Sequence, residues 1–200
     1  MKLICIDKNV SSEIDNRTKF QELLFYIKPE TAIITKKQPF FLPDFSNEIV
    51  AQVELVLHIN KVGKNIQPKF AKAYYDGIAV SIRFTAIDLF QESIKNSKPW
   101  TKAIAFDGSS LISEFIPIEL INKDTVSYSL VKNNVESQKY FIQNLNVDFD
   151  NIISLVSKYI TLKQGDYLCC GISDQHISVQ KEDIFFATID ELTSISCRIK

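Results

Sequence analysis

The chain has 200 residues, 46% hydrophobic and 24% charged, which is the composition of one globular domain and excludes a disordered chain. Five glycines and six prolines are too few for long flexible linkers, and a chain of this length buries a sizeable core without disulfides or a structural metal. A net charge of −1, from 23 basic and 24 acidic residues, argues against coating nucleic acid or an anionic membrane through bulk charge.

Residues 2–6, KLICI, read as a short buried strand. From Ser11 to Lys28 the apolar residues Phe20, Leu23, Leu24 and Ile27 fall at helical spacing, but LLFYI is also β-prone, so helix and strand both stay open there. Lys28-Pro29 is expected to end that segment, because the residue before proline avoids the helical region. Pro39, Pro43, Asp44 and Ser46 make 38–47 a loop. Residues 49–61 alternate: Val53, Leu55, Leu57 and Ile59 share one face, and Gln52, Glu54, Val56, His58 and Asn60 the other. This predicts a strand with a polar face.

Residues 69–76 read as a short helix closed by Gly77, and 78–84, IAVSIRF, as a buried strand. Asp88–Ser97 reads as a helix ended by Lys98-Pro99. Residues 115–131 and 135–147 look like a strand-rich meander. Phe149, Ile152, Ile153, Val156 and Ile160 form the best helical stripe in the chain. LKQGDYLCCG reads as a turn and a strand, and DIFFATID and SISCRI as closing strands. The sum is a β-rich α+β fold in a single domain spanning 1–200.

No run of apolar residues is long enough for a membrane span, and MKLICIDKNV is too short and too early charged for a secretory signal. The cysteines Cys5, Cys169, Cys170 and Cys197 show no metal-binding spacing. Free thiols and a cytoplasmic location are therefore expected.

Three stretches are less generic. On a strand, Gln52 and Glu54 share a face and can reach one point. The others are FTAIDLFQES with SKPWTKAIAFDGS, within 84–110, and LKQGDYLCCGIS, 162–173. With IKPETAI, PFFLPDF, QVELVLHINKVGKNI and YYDGIAVSIRF, they run in an order that resembles the fumarylacetoacetate hydrolase family over nearly the whole chain. The likeness is to its short acylpyruvate hydrolase or hydroxyheptadienedioate isomerase type. The resemblance implies a mixed, β-rich fold and a homodimer. It implies Mg²⁺ or Mn²⁺ among carboxylates and substrates that are 2-oxo or 1,3-dioxo acids. A hard cation suits that chemistry because it is chelated by two substrate oxygens and stabilises the developing enolate.

Position by position, the resemblance implies that the catalytic pattern is largely replaced. The family's Glu-x-Glu is Gln52-Val53-Glu54 here, and its third metal carboxylate falls on Arg83. Its Thr-Ala-Arg-Asp is Thr85-Ala86-Ile87-Asp88, and its active-site lysine falls on Ile104. Glu13 stands where the family has a histidine. The Thr-Gly-Thr-Pro near the C-terminus is Cys170-Gly171-Ile172-Ser173. Asn9, Pro99, Trp100, Phe106, Asp107, Gly165 and Asp166 keep the family residue.

Glu54, the one surviving metal carboxylate, does not hold Mg²⁺ beside a guanidinium. No metal or other cofactor is therefore expected. Arg83 is one of three arginines against twenty lysines. It has three readings: drift toward solvent, pairing with Glu54, or an anion site made with Glu54 and Asp88 for a small acidic ligand. Pairing is preferred, since a planar guanidinium suits a carboxylate and an unpaired buried Glu54 is costly. His58, about 13 Å along the strand from Glu54, is too far to share a metal with it. His176, Ser109-Ser110 and Cys169-Cys170 read as ordinary polar or packing residues. The functional expectation is a family member that has lost the metal-dependent chemistry and serves as a ligand- or partner-binding scaffold. The alternatives are an active hydrolase or isomerase with an altered site, and an interaction subunit for an intact paralogue.

Overall fold

The computed structural model describes residues 1–10, 23–34 and 38–200. Glu13, Arg17 and most of the ambiguous 11–28 segment lie outside them, as does Lys36-Lys37. β1 (Lys2–Ile6) is the short buried strand that its apolar run calls for. β2 (Phe25–Pro29) pairs antiparallel to it, with Tyr26 opposite Cys5 and Lys28 opposite Leu3. The end of the open helix-or-strand segment is thus a strand, and it stops at Pro29 as expected. The extended geometry forced on the residue before proline fits a strand, and proline is tolerated at its last position.

β3 (Ile49–Ile59) and β4 (Tyr75–Ala86) form the centre of the fold. Their antiparallel register runs from Ile49 opposite Ala86 to Ile59 opposite Tyr75, with a shift at His58/Ile59. Between them come α1 (Pro68–Ala71) and a 3₁₀ turn over Lys72–Tyr74. The helix expected to close at Gly77 is therefore shorter. Gly77 sits inside β4, opposite His58 and Pro117. α2 (Ile87–Lys95) follows β4 directly, then α3 (Thr101–Ile104), β5 (Ser110–Ile112) and β6 (Ile116–Pro117). The meander becomes β7 (Ser127–Lys132) and β8 (Val135–Phe141). The apolar stripe becomes α4 (Phe149–Tyr159), whose first turn is capped by Asp148 accepting from the Asn151 N–H at 2.9 Å. β9 (Tyr167–Cys169), β10 (Ile177–Ser178), β11 (Ile184–Ile189) and β12 (Thr193–Arg198) complete the chain.

Among the described residues these strands make two sheets in a single β-rich domain. The larger has the order β2-β1-β9-β3-β4-β5, with β10 on β3 and β6 on β4. β1 and β9 run parallel while the other pairs are antiparallel, so the sheet is mixed. The smaller is antiparallel, in the order β12-β11-β7-β8. Ile33, just after β2, bridges Ser110 of β5, and the Ile34 N–H donates to the Ser110 carbonyl at 2.8 Å. The two ends of the larger sheet's strand order therefore meet, and the sheet curls back on itself.

That curl decides the environment of β3. One face of β3 and β4 packs Val53, Leu55, Leu57, Val80 and Ile82 into the core shared with Leu130, Phe185 and α4. The other face packs Val56 and Ala79 against Leu3, Cys5, Ile112 and Cys169. The polar face of the alternating strand is thus covered: Gln52 and Glu54 are both buried. Alternation revealed the faces but not their exposure, because a sheet covered on both sides can still carry polar residues that pair with one another. No described helix is long and apolar enough to cross a membrane.

Gly171 and Gly165 both adopt positive φ, at +100° and +85°. A Cβ on Gly171 would lie 2.5 Å from the Asn9 Cβ and 3.0 Å from its backbone nitrogen, whereas a Cβ on Gly165 meets nothing within 4 Å. Asn9 cannot move aside: its amide donates to the Val147 and Cys170 carbonyls at 2.9 Å each and accepts from the Val147 N–H at 2.8 Å. Gly165→Ala should cost only the left-handed backbone penalty of about 1–2 kcal/mol. Gly171→Ala should cost about 3 kcal/mol or more, since backbone must shift as well. Urea unfolding of both variants checks the order.

Candidate functional site

β3 and β4 place Gln52 opposite Arg83 and Glu54 opposite Ser81, so the Arg83 side chain has Glu54 as its diagonal neighbour. Its terminal Nη2 donates to the Glu54 carboxylate and to the Ile6 carbonyl, the latter at 3.0 Å. The two side chains are 1% and 0% exposed. The guanidinium also lies 5.6 Å from the centroid of the Tyr26 ring. Glu54 Oε1 and Arg83 Nε are buried without a hydrogen-bond partner. The pair compensates its charge but does not use all its polar atoms.

Above Arg83 opens a cleft of about 310 Å³. Phe25 and Tyr26 of β2 form one wall. α2 forms the next. Because α2 starts at Ile87, the residues Ile87, Phe90, Gln91 and Ile94 fall three, four and seven apart and turn one face to the cleft. Trp100 and Ile104 close the side next to α2, with the Phe90 and Trp100 ring centroids 5.6 Å apart. The segment 172–176 forms the opposite lip.

That lip is held by buried amides. Gln52 Nε2 donates to the carbonyls of Ser173 at 2.9 Å and Gln175 at 3.0 Å. Gln138 Nε2 donates to the Gln175 carbonyl at 2.8 Å, and the Tyr140 hydroxyl bonds Ser173 Oγ at 2.7 Å. A carboxylate at position 52 could make neither Gln52 bond, since it has no N–H and would face two carbonyl oxygens.

The residues singled out in the sequence separate accordingly. Gln52, Arg83, Ile87 and Ile104 line one cleft, with Glu54 beneath Arg83. Asp88 does not join them, which corrects the expectation that it could share a ligand with Arg83. It opens α2 on the side of the 46–48 loop and accepts from Ser46 Oγ at 2.6 Å, the Asn47 N–H at 2.9 Å and the Leu89 N–H at 2.8 Å. Burial disfavours its charge, but these bonds outweigh burial and hold its carboxyl below the ordinary value. Glu13 lies outside the described residues. His58 pairs with Asp76 at 2.7 Å, away from the cleft, whereas His176 stands on the cleft lip.

Two groups near the site were not anticipated. Lys28 is fully buried, and its Nζ donates to Ser109 O, Ser109 Oγ and Ser110 Oγ, each at 3.1 Å. Desolvation lowers its pKa to about 8, with the Arg83 charge adding to the effect. Cys5 and Cys169 are register partners on β1 and β9. Burial opposes ionisation of Cys5, but the Cys169 thiol donating to its sulfur and the nearby Arg83 outweigh it and lower its pKa. The only sequence signal for Lys28 was its place two residues after Tyr26, which puts the two on one face if the segment is a strand.

The donor set does not fit a hard dication. Such an ion takes several oxygen ligands, mostly carboxylate. Here one carboxylate is engaged by a guanidinium, the neighbouring amide presents N–H donors to the 173–175 backbone, and the third position is itself cationic. No group of three or more His, Cys, Asp or Glu among the described residues could hold a metal ion.

Removing either partner of the buried pair should destabilise by about 3–5 kcal/mol, while removing both should be far milder. Arg83→Met and Glu54→Gln are expected to be individually costly and the double variant to recover much of the loss, as read by a denaturation cycle. Lys28 has its own signature. Below about pH 8 both folded and unfolded states carry the charge and the burial cost is full. Above 10.5 neither does. Between them the unfolded state binds more protons, so Lys28 makes stability rise with pH. Relative to Lys28→Met, the parent should gain on the order of 3 kcal/mol from pH 7.5 to 10.5 in urea unfolding.

The whole chain, residues 2–200, matches the model of the fumarylacetoacetate (FAA) hydrolase C-terminal family. Among curated proteins it is 29% identical over 201 residues to the mitochondrial oxaloacetate tautomerase FAHD1 of Mus musculus, covering 99% of this chain and 91% of that protein. It is 28% identical over 193 residues to the oxaloacetate tautomerase YcgM of Escherichia coli K12, covering 94% and 88%. Among solved structures, fumarylpyruvate hydrolase from Pseudomonas aeruginosa, in complex with Mn²⁺ and pyruvate, superposes with a TM-score of 0.89 at 22% identity over 100% of this chain and 89% of that one. A match of the family model from the second residue to the last, on a mixed sheet of the same architecture, makes this chain a member of the fumarylacetoacetate hydrolase family.

Proposed function

We propose that this family member has given up cation-dependent hydrolase or isomerase chemistry and retains the cleft as a binding site. The observation that carries this reading is the buried Arg83–Glu54 pair. A guanidinium occupies the charge position that a dication would need, and its donation to Glu54 and Ile6 fixes it there. Three further features support the reading. The Gln52 amide is committed to the 173–175 backbone. Ile87 and Ile104 offer no donor to a developing oxyanion, a group that catalysis of this class has to stabilise. Asp88 is engaged with the 46–48 loop. Among the described residues the cleft keeps a volume of about 310 Å³ and its lip is held in place, as binding requires. The homodimer implied by the family resemblance is part of the same proposal, with light scattering as its test.

The competing reading is an active tautomerase or hydrolase, after the named activities of the relatives. Purified protein should contain no stoichiometric Mg²⁺ or Mn²⁺ and show no change in melting temperature in millimolar concentrations of either, since a ligand selective for the folded state must raise it. Oxaloacetate enol-to-keto conversion and acylpyruvate cleavage should stay at the buffer rate with or without added cation. Cation-dependent turnover that disappears in Glu54→Gln would establish the competing reading.

A further inference from the structure

We infer that the cleft takes a small, planar, uncharged apolar molecule and discriminates against 2-oxo acids and dicarboxylates. The inference rests on the cation-free reading above and names the ligand class of the same site.

Charge is the first argument. Two cations, Lys8 and Arg83, stand at the cleft, and both are spoken for. Lys8 pairs with Asp174 at 2.5 Å and also feels Asp7, while Arg83 is bound to Glu54. Against them the lining carries two carboxylates, Asp7 and Asp174, while Glu54 and Lys28 are both buried next to Arg83 and offset each other. Among the described residues Asp7 makes no ion pair of its own. The charges therefore cancel, so no net positive field draws in a dianionic acid and neither lining cation is free to bind one.

Lining is the second argument. Ile87 and Ile104, where the family resemblance implies arginine and lysine, face the cleft beside Phe25, Tyr26, Phe90 and Trp100. The aromatic pair Phe90–Trp100 is tilted by 39° and leaves ring faces and edges for a third flat group. Trp100 is 38% exposed, so part of its indole is accessible to a ligand in the cleft. A cleft of about 310 Å³ lies at the lower end of the range of roughly 300–1,000 Å³ for small-molecule sites, enough for one or two rings. The free polar edge is narrow. The Gln52 N–H groups are already used, which leaves Gln91, Thr85 and His176 to orient a single hydroxyl or carbonyl.

Gln52 also contributes to this specificity by ordering the lip. Gln52→Glu would remove two of the bonds that hold the 173–176 lip and would add a negative charge to the cleft.

Because Trp100 is the chain's one tryptophan and lines the cleft, its fluorescence reports occupancy directly. The full-length protein, excited at the red edge of tryptophan absorption, is titrated with benzyl alcohol as the neutral aromatic probe and oxalate as the 2-oxo acid mimic, each with and without Mn²⁺. The expected result is a saturable Trp100 response to benzyl alcohol and none to oxalate under either condition. Ile104→Lys should weaken the benzyl alcohol response by at least about tenfold. Its folding is verified by an unchanged far-ultraviolet circular dichroism spectrum, and Ile104→Leu should retain the response. A response to oxalate without Mn²⁺ overturns the ligand class and leaves the cation-free reading standing. A response to oxalate only with Mn²⁺ overturns both. Absence of any saturable response to benzyl alcohol, or one unaffected by Ile104→Lys, overturns the ligand class.

Discussion

One buried ion pair organises this site. Arg83 and Glu54 face each other inside a sheet whose curl covers both faces of β3 and β4. Neither charge can be left alone there, because an uncompensated buried ion costs several kcal/mol, on the order of the stability margin of a whole domain. Once arginine stands at position 83, Glu54 serves as its counter-ion. The Ile6 carbonyl adds an acceptor, and Tyr26 offers a ring face. Lys28 then lies in a region already holding a guanidinium, which helps to explain why burial drives its pKa down and why neutral serine hydroxyls and a carbonyl suffice as its partners.

The rest of the cleft is consistent with that pair. With a guanidinium fixed at position 83, the amide at position 52 ties the 172–176 lip to the sheet. Positions 87 and 104 carry branched aliphatic side chains that pack beside Phe90 and Trp100. Each replacement alone reads as loss. Together they describe a largely apolar cleft with an ordered rim, and burial of apolar ligand surface is the interaction such a cleft offers.

Much of this was legible in the residues. The alternation of 49–61 gave β3 and its two faces, the apolar stripe of 149–160 gave α4, and the scarcity of arginine drew attention to Arg83. Burial was not legible. A strand with Gln52, Glu54 and His58 on one face looks solvent-facing, yet Gln52 is covered by the 173–175 segment and Glu54 by the curled sheet, while His58 stays partly exposed. Lys28 was missed for the same reason. A lysine before a proline reads as an exposed chain end until β2 is seen to meet β5. Asp88 was misplaced because the first residues of a helix fan out in different directions: Ile87 enters the cleft while its neighbour turns to the 46–48 loop. The Cys5–Cys169 contact joins positions 164 residues apart, which local pattern does not reveal.

The most direct test is crystallographic. Crystals grown with excess Mn²⁺ and measured at the manganese edge locate any bound cation independently of activity. The expected result is no anomalous peak between positions 52, 54 and 83, with the Arg83 guanidinium on the Glu54 carboxylate. A manganese peak at Glu54, with Arg83 swung into the cleft, would contradict the claim that the ion pair has replaced the cation.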